Sequence, residues 1–123
     1  MAYTPTTFTD LQNALKAYHG SGTGTNPNTW DVTAVTNMSW LFNDTGLKTF
    51  NTSISSWNVS SVTNMSEMFK YMNVFNQDIS GWNTSSVTNM DGMFISALQF
   101  DQDIRSWNTD SILTMNLMFQ YTY

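Results

Sequence analysis

The sequence predicts a right-handed α/β solenoid with about 25 residues per turn, short parallel strands, helical turns and an N-terminal helix cap. The main observation is internal repetition: the pattern that begins at Trp57 recurs at Trp82 and again, after the same interval, at Trp107. A fourth copy begins at Trp30, and the interval from Trp30 to Trp57 shows that its coil carries a two-residue insertion. Self-similarity at a fixed period of about 20 to 50 residues is typical of solenoids and repeat arrays.

Each repeat combines two hydrophobic periodicities. In the pattern Ile54-x-x-Trp57-x-Val59, apolar and polar residues alternate at the end, which is typical of a very short strand. Within residues 62–69, apolar side chains lie at positions i, i+3, i+6 and i+7, which predicts one or two helical turns with Ser60 and Ser61 supplying the N-cap. We expect the strands to stack as a small parallel sheet over an apolar interior. The main columns expected in that interior are Trp30/Trp57/Trp82/Trp107, Met38/Met65/Met90/Met115 and Phe42/Phe69/Phe94/Phe119.

The polar column Asn37, Asn64 and Asn89 is predicted to be an internal ladder. Its side-chain amides are expected to bond the backbone of the adjacent coil, because buried polar groups need partners. Binding of a ligand by this column is the alternative.

Residues 1–29 are predicted to cap the repeats. Residues 8–19 have apolar side chains at helical spacing, with Thr9 as the N-cap and Gly20 as the stop. Residues 20–28 are rich in Gly, Thr and Asn and predict a loop. Because terminal repeats need a cap with a polar outer face, we assign 1–29 to a capping helix and loop and 30–123 to a four-coil solenoid, all in one domain.

Composition excludes several classes of partner and site. Charged residues make up only 11% of the 123 residues, and the net charge is −5. Only four residues are basic and they are scattered, so neither nucleic acid nor an anionic membrane surface is an expected partner. There are no cysteines, which excludes disulfides and thiolate metal sites. No signal peptide is visible, no apolar run is long enough for membrane insertion, and the compartment stays open.

The repeat pattern resembles known families. The order Ile-x-x-Trp-x-Val-x-x-Val-x-x-Met-x-x-Met-Phe resembles the BspA-like class of leucine-rich repeat. The stretch from Phe75 to Met90 (Phe-Asn-Gln-Asp-Ile-Ser-Gly-Trp-Asn-Thr-Ser-Ser-Val-Thr-Asn-Met) is similar to the repeat of the DUF285 family. That resemblance implies a leucine-rich-repeat-like coil and a surface-exposed binding or adhesion role, at a cell surface, secreted or in a virion. The last coil departs from the pattern at Leu113 and Thr114.

The first functional hypothesis is a non-catalytic module that recognises a protein or a glycan through a polar face. Outward positions of the predicted strands carry small neutral side chains, which leave a flat surface for a partner. Trp40 breaks its column and is expected to be exposed, whereas the other tryptophans are expected in the core rather than in a sugar-stacking platform. The candidate ligand-binding residues are Asn58, Asn83, Asn108, Ser80, Arg105 and Trp40.

The second hypothesis is a structural assembly subunit, of a virion or a cell-surface array, that associates through its C-terminal coil. No cap is apparent after that coil, and a bare solenoid end exposes apolar side chains and strand edges. A homo-oligomer is one form that such an assembly takes. The candidate interface residues are Ile112, Met115, Met118, Phe119, Tyr121 and Tyr123.

Other chemistry has little support in the sequence. Asp78, Asp101 and Asp103 are a weak candidate for Ca²⁺, which takes six to eight oxygen ligands, against the alternative that they cap turns. No catalytic constellation or cofactor motif is present, so we predict neither an enzyme nor a cofactor. Ice binding by the columns Thr36/Thr63/Thr88 and Ser61/Ser86/Ser111 is a third alternative.

Overall fold

The computed structural model describes residues 3–122 and contains one α-helix and no strand in that range. Helix α1 spans Phe8–Ser21, and two short 3₁₀ turns span Pro27–Thr29 and Thr45–Leu47. The predicted α/β solenoid with parallel strands and helical turns is therefore wrong. The remaining residues form turns and extended backbone, joined by isolated parallel bridges that pair Asn37 with Asn64, Asn64 with Asn89, and Asn89 with Thr114.

Helix α1 lies close to its predicted position, but its caps differ. The Thr7 hydroxyl accepts a hydrogen bond from the Asp10 backbone N–H at 3.1 Å, so Thr7, and not Thr9, is the N-cap. The helix passes Gly20 and ends at Ser21. Its C-cap is Gly22, whose φ of 66° suits glycine and whose N–H donates to the Tyr18 carbonyl at 2.8 Å.

The helix covers the first repeat. Leu11 and Leu15 are fully buried in the common core. The Gln12 amide donates to the Leu41 carbonyl at 3.0 Å, and the Lys16 ammonium pairs with Asp44 at 3.2 Å. Leu47, in the part of this coil that carries the two-residue insertion, is also buried. The N-terminal end of the repeats is therefore closed by apolar and polar contacts together.

Successive repeats stack in register, and their like side chains lie against one another. The indoles of Trp57, Trp82 and Trp107 are buried and nearly parallel, with ring centroids 6.3 and 6.4 Å apart. The prediction that these indoles lie in the core is confirmed. The phenylalanine column is equally regular: centroids are 5.3, 5.4 and 5.5 Å apart along Phe42, Phe69, Phe94 and Phe119.

Buried indole N–H groups link one repeat to the one before it. The Trp82 Nε1–H donates to the Ile54 carbonyl at 3.1 Å, and the Trp107 Nε1–H donates to the Ile79 carbonyl at 3.0 Å. An indole N–H that is buried without an acceptor costs free energy, so each of these bonds also fixes the register between two repeats.

The predicted helical turns are replaced by consecutive tight turns. In residues 65–72, the N–H groups of Met68, Lys70 and Met72 each donate to the carbonyl three residues earlier. A right-handed helix is interrupted because φ is positive at Glu67 and Tyr71, at 54° and 63°. The same positions are positive in the later repeats, at Gly92, Ser96, Leu117 and Tyr121. Apolar spacing of three residues arises here from a series of turns.

Those turns leave alternate N–H groups free to bond the next repeat. The N–H groups of Met65, Glu67 and Phe69 donate to carbonyls one repeat further along the chain, at 2.8 to 2.9 Å. Carbonyls of residues 64, 66 and 68 accept in the same way from the repeat before. The carbonyls of residues 65, 67 and 69 already accept hydrogen bonds within the turns. In an ordinary parallel ladder the same residue both donates to and accepts from the neighbouring strand, and these coils therefore do not form one.

The asparagine ladder is also placed differently from the prediction. The side chains of Asn64 and Asn89 accept from the backbone N–H two residues later in their own coil, at 2.9 Å, so these side chains serve their own coil and only the backbone of the two residues bonds adjacent coils. Asparagine side chains bond the adjacent coil in another column. The Asn51 side chain accepts from the Asn76 N–H at 3.0 Å, and the Asn76 side chain accepts from the Asp101 N–H at 2.9 Å.

Replacing a stacked phenylalanine tests the core. Phe69 is fully buried between Phe42 and Phe94, so we expect Phe69→Ala to lower the free energy of unfolding by about 3–5 kcal/mol. Urea denaturation followed by tryptophan fluorescence measures this loss. The matched control is Phe119→Ala, in the same column but half exposed, which is expected to lose less than half as much. Equal losses would contradict the stacking described above.

Candidate functional site

The three asparagines predicted to bind a ligand are exposed, but each serves its own coil. The Asn58 side chain accepts from the backbone N–H and the hydroxyl of Ser60, at 3.1 and 2.6 Å. Asn83 makes the same two bonds with Ser85, and Asn108 accepts from the Asp110 N–H at 2.8 Å. Their carbonyl oxygens are therefore occupied in local turns.

Two other predicted ligand-binding residues, Ser80 and Arg105, are brought together at the surface. With Asp103 and Ser106 they line an open depression of about 540 Å³. Ser106 donates to the Ser80 carbonyl at 3.1 Å, and the Arg105 guanidinium donates to Asp103 at 2.8 Å. The hydrogen bond from the Arg105 side chain lowers the pKa of Asp103. This part of the polar face offers both charged and neutral hydrogen-bonding groups.

Trp40 is exposed as predicted, and it has neighbours that the sequence did not indicate. The Lys70 ammonium lies 5.4 Å from the centre of the Trp40 ring and 5.1 Å from that of Tyr71. It also pairs with the Glu67 carboxylate at 2.8 Å, and this hydrogen bond raises the pKa of Lys70. The repeat pattern did not single out Lys70 and Tyr71, because they lie just after the apolar run of residues 62–69 and belong to none of the apolar columns. The ammonium is held by the two rings and the carboxylate, so the cluster is internally satisfied.

The last coil exposes apolar side chains beyond those predicted to form its interface. Leu113 and Leu117 are 85% and 60% exposed and were missed in the prediction. The available signal was a change within columns, because Leu113 stands where Thr63 and Thr88 stand in earlier repeats. Among the predicted interface residues, Met115, Phe119 and Tyr121 are exposed, Ile112 is half-buried, Met118 is buried, and Tyr123 lies outside the described residues.

Two of the three aspartates proposed for Ca²⁺ have other partners for their carboxylates. The Asp78 carboxylate accepts from the backbone N–H and hydroxyl of Ser80, and Asp103 pairs with Arg105. The Asp101 N–H donates to the Asn76 side chain, which lies one repeat earlier. Across residues 3–122, no three acidic or histidine side chains gather in an arrangement that would hold a metal ion. The alternative interpretation, that these aspartates cap turns, describes Asp78 directly.

Membrane insertion was not expected from the sequence. Within residues 3–122, the structure has no helix whose length and apolar character would let it cross a membrane.

These features define a class: a protein of regularly stacked short repeats, with a helix closing the first repeat and an apolar last coil. The family model described as "Mycoplasma protein of unknown function, DUF285" matches residues 9–123, and the chain belongs to that family. The predicted resemblance to this family is confirmed, whereas the match does not extend to the BspA-like leucine-rich-repeat class. No curated protein and no solved structure matches the chain.

Acid sensitivity is expected from the aspartates that cap turns. The Ser80 hydroxyl and N–H lower the pKa of Asp78, and those of Thr33 lower the pKa of Asp31. A carboxyl whose pKa is lower in the folded state stabilises the fold above its unfolded pKa of about 3.9, and this contribution is lost as the pH falls through the folded pKa. We therefore expect the thermal midpoint to be flat near pH 6 and to fall below about pH 4.

The variant Asp78→Asn tests the charge of Asp78 apart from its hydrogen bonds, because it removes the charge and keeps an oxygen that accepts from Ser80. The equivalent turns at Asn58 and Asn83 use an amide oxygen, so this variant is expected to keep the thermal midpoint at pH 7 within about 2 °C and to weaken its fall in acid. Asp78→Ala, which lacks an acceptor, is expected to be less stable at every pH. An unchanged acid profile in Asp78→Asn would show that Asp78 does not contribute to it.

Proposed function

We propose that this chain is a non-catalytic protein-association module, a structural assembly subunit whose contact surface is its last coil. The observation that carries the proposal is the asymmetry between the two ends. Helix α1 covers the first repeat through the buried Leu11 and Leu15. The last repeat exposes Leu113, Leu117 and Phe119 at 85%, 60% and 50%. A contiguous exposed apolar patch is typical of a protein–protein contact.

Self-association at high concentration tests this proposal. The exposed leucines favour contact between two last coils, so we expect reversible association in sedimentation velocity from micromolar to millimolar chain. The double variant Leu113→Asp with Leu117→Asp is expected to weaken that association at least tenfold, which corresponds to about 1.4 kcal/mol. Asp is a suitable replacement at position 117, where φ is 60°, because Asp tolerates positive φ better than most residues.

The matched control is Leu98→Asp, since Leu98 is 42% exposed and lies in the preceding repeat. It adds a charge without changing the last coil, so association is expected to stay as in the unmodified chain. Circular dichroism checks that all variants fold. A wild-type chain that remains monomeric across this concentration range, or association that survives the double variant, would contradict the proposal.

A second candidate function is recognition of a protein or a glycan through the polar face, as an adhesion module. The depression around Arg105 supports it, because the guanidinium is 89% exposed and lies beside the hydroxyls of Ser80 and Ser106. Such a combination suits carboxylate and hydroxyl groups of a ligand. A location at a cell surface, in a secreted form or in a virion belongs to this proposal through the family resemblance alone.

Titration with neutral and acidic sugars, followed by amide chemical shifts, tests the second candidate. Shifts are expected to concentrate at Ser80, Arg105 and Ser106, and Arg105→Ala is expected to reduce affinity for acidic sugars about tenfold or more. Lys48→Ala, which removes a cation far along the chain, serves as the control. Equal shifts in Arg105→Ala and the unmodified chain would remove the depression as a site.

A further inference from the structure

Two bulky aromatic residues lie where the backbone is strained and the ring is only half buried. Trp40 and Tyr71 have φ of 65° and 63°, a region that a bulky L-residue adopts only at a cost in free energy. They are nevertheless 47% and 43% exposed, so packing against the core offsets only part of that cost. Strain of this kind is found most often at binding and active sites.

The equivalent positions carry small residues one coil or two coils later. Gly92 is equivalent to Trp40 and has a φ of 60°, and Ser96 is equivalent to Tyr71 and has a φ of 54°. All four N–H groups donate to a carbonyl of the coil that follows, at 2.8 to 3.0 Å. The turns therefore form with glycine or serine at these positions, and the fold does not require the two rings.

Lys70 joins the two rings into one cluster. Its ammonium lies 5.4 Å from the centre of the Trp40 ring and 5.1 Å from that of Tyr71, so a single short ligand could lie across both rings. The Lys70 side chain is only 18% exposed, and the Glu67 carboxylate accepts from the ammonium at 2.8 Å. Because these contacts exist before any ligand arrives, little conformational entropy is lost on binding.

The chemistry of the cluster selects a neutral ligand that is rich in hydroxyl groups. A cationic ligand is excluded from the space between the rings because the Lys70 ammonium occupies it. An anionic ligand would approach the Glu67 carboxylate in a chain whose net charge is −5. By contrast, the negative ring faces attract the weakly positive C–H groups of a sugar. A sugar hydroxyl also both donates and accepts, which suits a carboxylate beside an ammonium.

We infer that Trp40 and Tyr71 form a stacking platform for a neutral glycan, and that the Lys70–Glu67 pair binds a hydroxyl of the stacked sugar. The preferred sugar is a pyranose whose substituents are all equatorial, because its two faces are then flat C–H surfaces. The platform shares no residue with the depression around Arg105, and it depends on neither proposed function.

Tryptophan fluorescence tests binding at the platform. Trp40 is exposed whereas the other four tryptophans are buried, so a sugar that covers Trp40 is expected to shift the emission to the blue. The probes are cellohexaose and chitohexaose, whose sugars have equatorial substituents. Sorbitol, which has hydroxyl groups but no ring face, is the control ligand. We expect a saturable shift with at least one hexasaccharide, half complete below about 5 mM, and none with sorbitol.

Variants that use the residues of the equivalent positions separate binding from folding. Trp40→Gly and Tyr71→Ser introduce the residue types found at 92 and 96, so the circular dichroism spectrum is expected to stay that of the unmodified chain. Isothermal titration calorimetry, which does not depend on Trp40, measures the affinity. We expect each variant to bind the hexasaccharide at least tenfold more weakly, and Trp40→Phe, which keeps a ring, to stay within about threefold.

Two matched variants complete the experiment. Leu98→Ser removes an apolar side chain of similar exposure outside the cluster, and Arg105→Ala removes the cation of the polar depression. Both are expected to bind the hexasaccharide as the unmodified chain does. The absence of binding by either hexasaccharide, or binding that survives Trp40→Gly, would overturn the inference. Binding lost in Arg105→Ala and kept in Trp40→Gly would assign the sugar to the depression instead.

Discussion

Directional hydrogen bonding between repeats is the constraint on which the rest of the structure depends. Each of the first three coils donates a row of alternate N–H groups to carbonyls of the coil that follows, and three of these bonds fall at equivalent positions in all three coils. Register is therefore set at the backbone, and the side-chain columns follow from it. Stacked Phe69 and Phe94, with ring planes 4° apart, are the result of that register. A shift by one residue would separate rings, break indole bonds and leave buried donors unpaired at once.

The sequence was sufficient to predict the repeat, the residues of the apolar interior and the helical cap, because these follow from the periodicity of apolar residues. A column that is always Trp or always Phe identifies an inward position whatever the backbone conformation is. The columns did not reveal the conformation itself. Apolar residues three apart occur in a helix and in consecutive turns alike, and only the φ of residues such as Glu67 separates the two. The strand and helix assignments failed at this step, while the core assignments did not depend on it.

At the candidate sites too, some features could be predicted from the sequence and others could not. Exposure of Trp40 was predictable because it departs from its column. The roles of Asn58 and Asn83 were not, since an outward Asn suits both ligand binding and a local turn, and the short bonds to Ser60 and Ser85 decide between them. The leucines of the last coil were visible as departures from a Thr and a Glu/Gly column. Their meaning depends on which side of the coil lacks a neighbour, and periodicity contains no information about direction.

The last coil bears a conformational cost that its free side does not offset. A residue other than glycine with positive φ costs about 1 kcal/mol or more, and inner repeats offset this cost with bonds in both directions. Glu67 accepts that φ while its N–H bonds Asp91. Leu117 and Tyr121 both have a φ of 60°, but neither of their N–H groups donates a hydrogen bond within residues 3–122. Because the carbonyls of Gln120 and of residues 116 and 118 accept hydrogen bonds from the third repeat, the last coil keeps the turn conformation of the inner repeats. A partner that matches it meets a surface already ordered, so that little further conformational entropy is lost on binding.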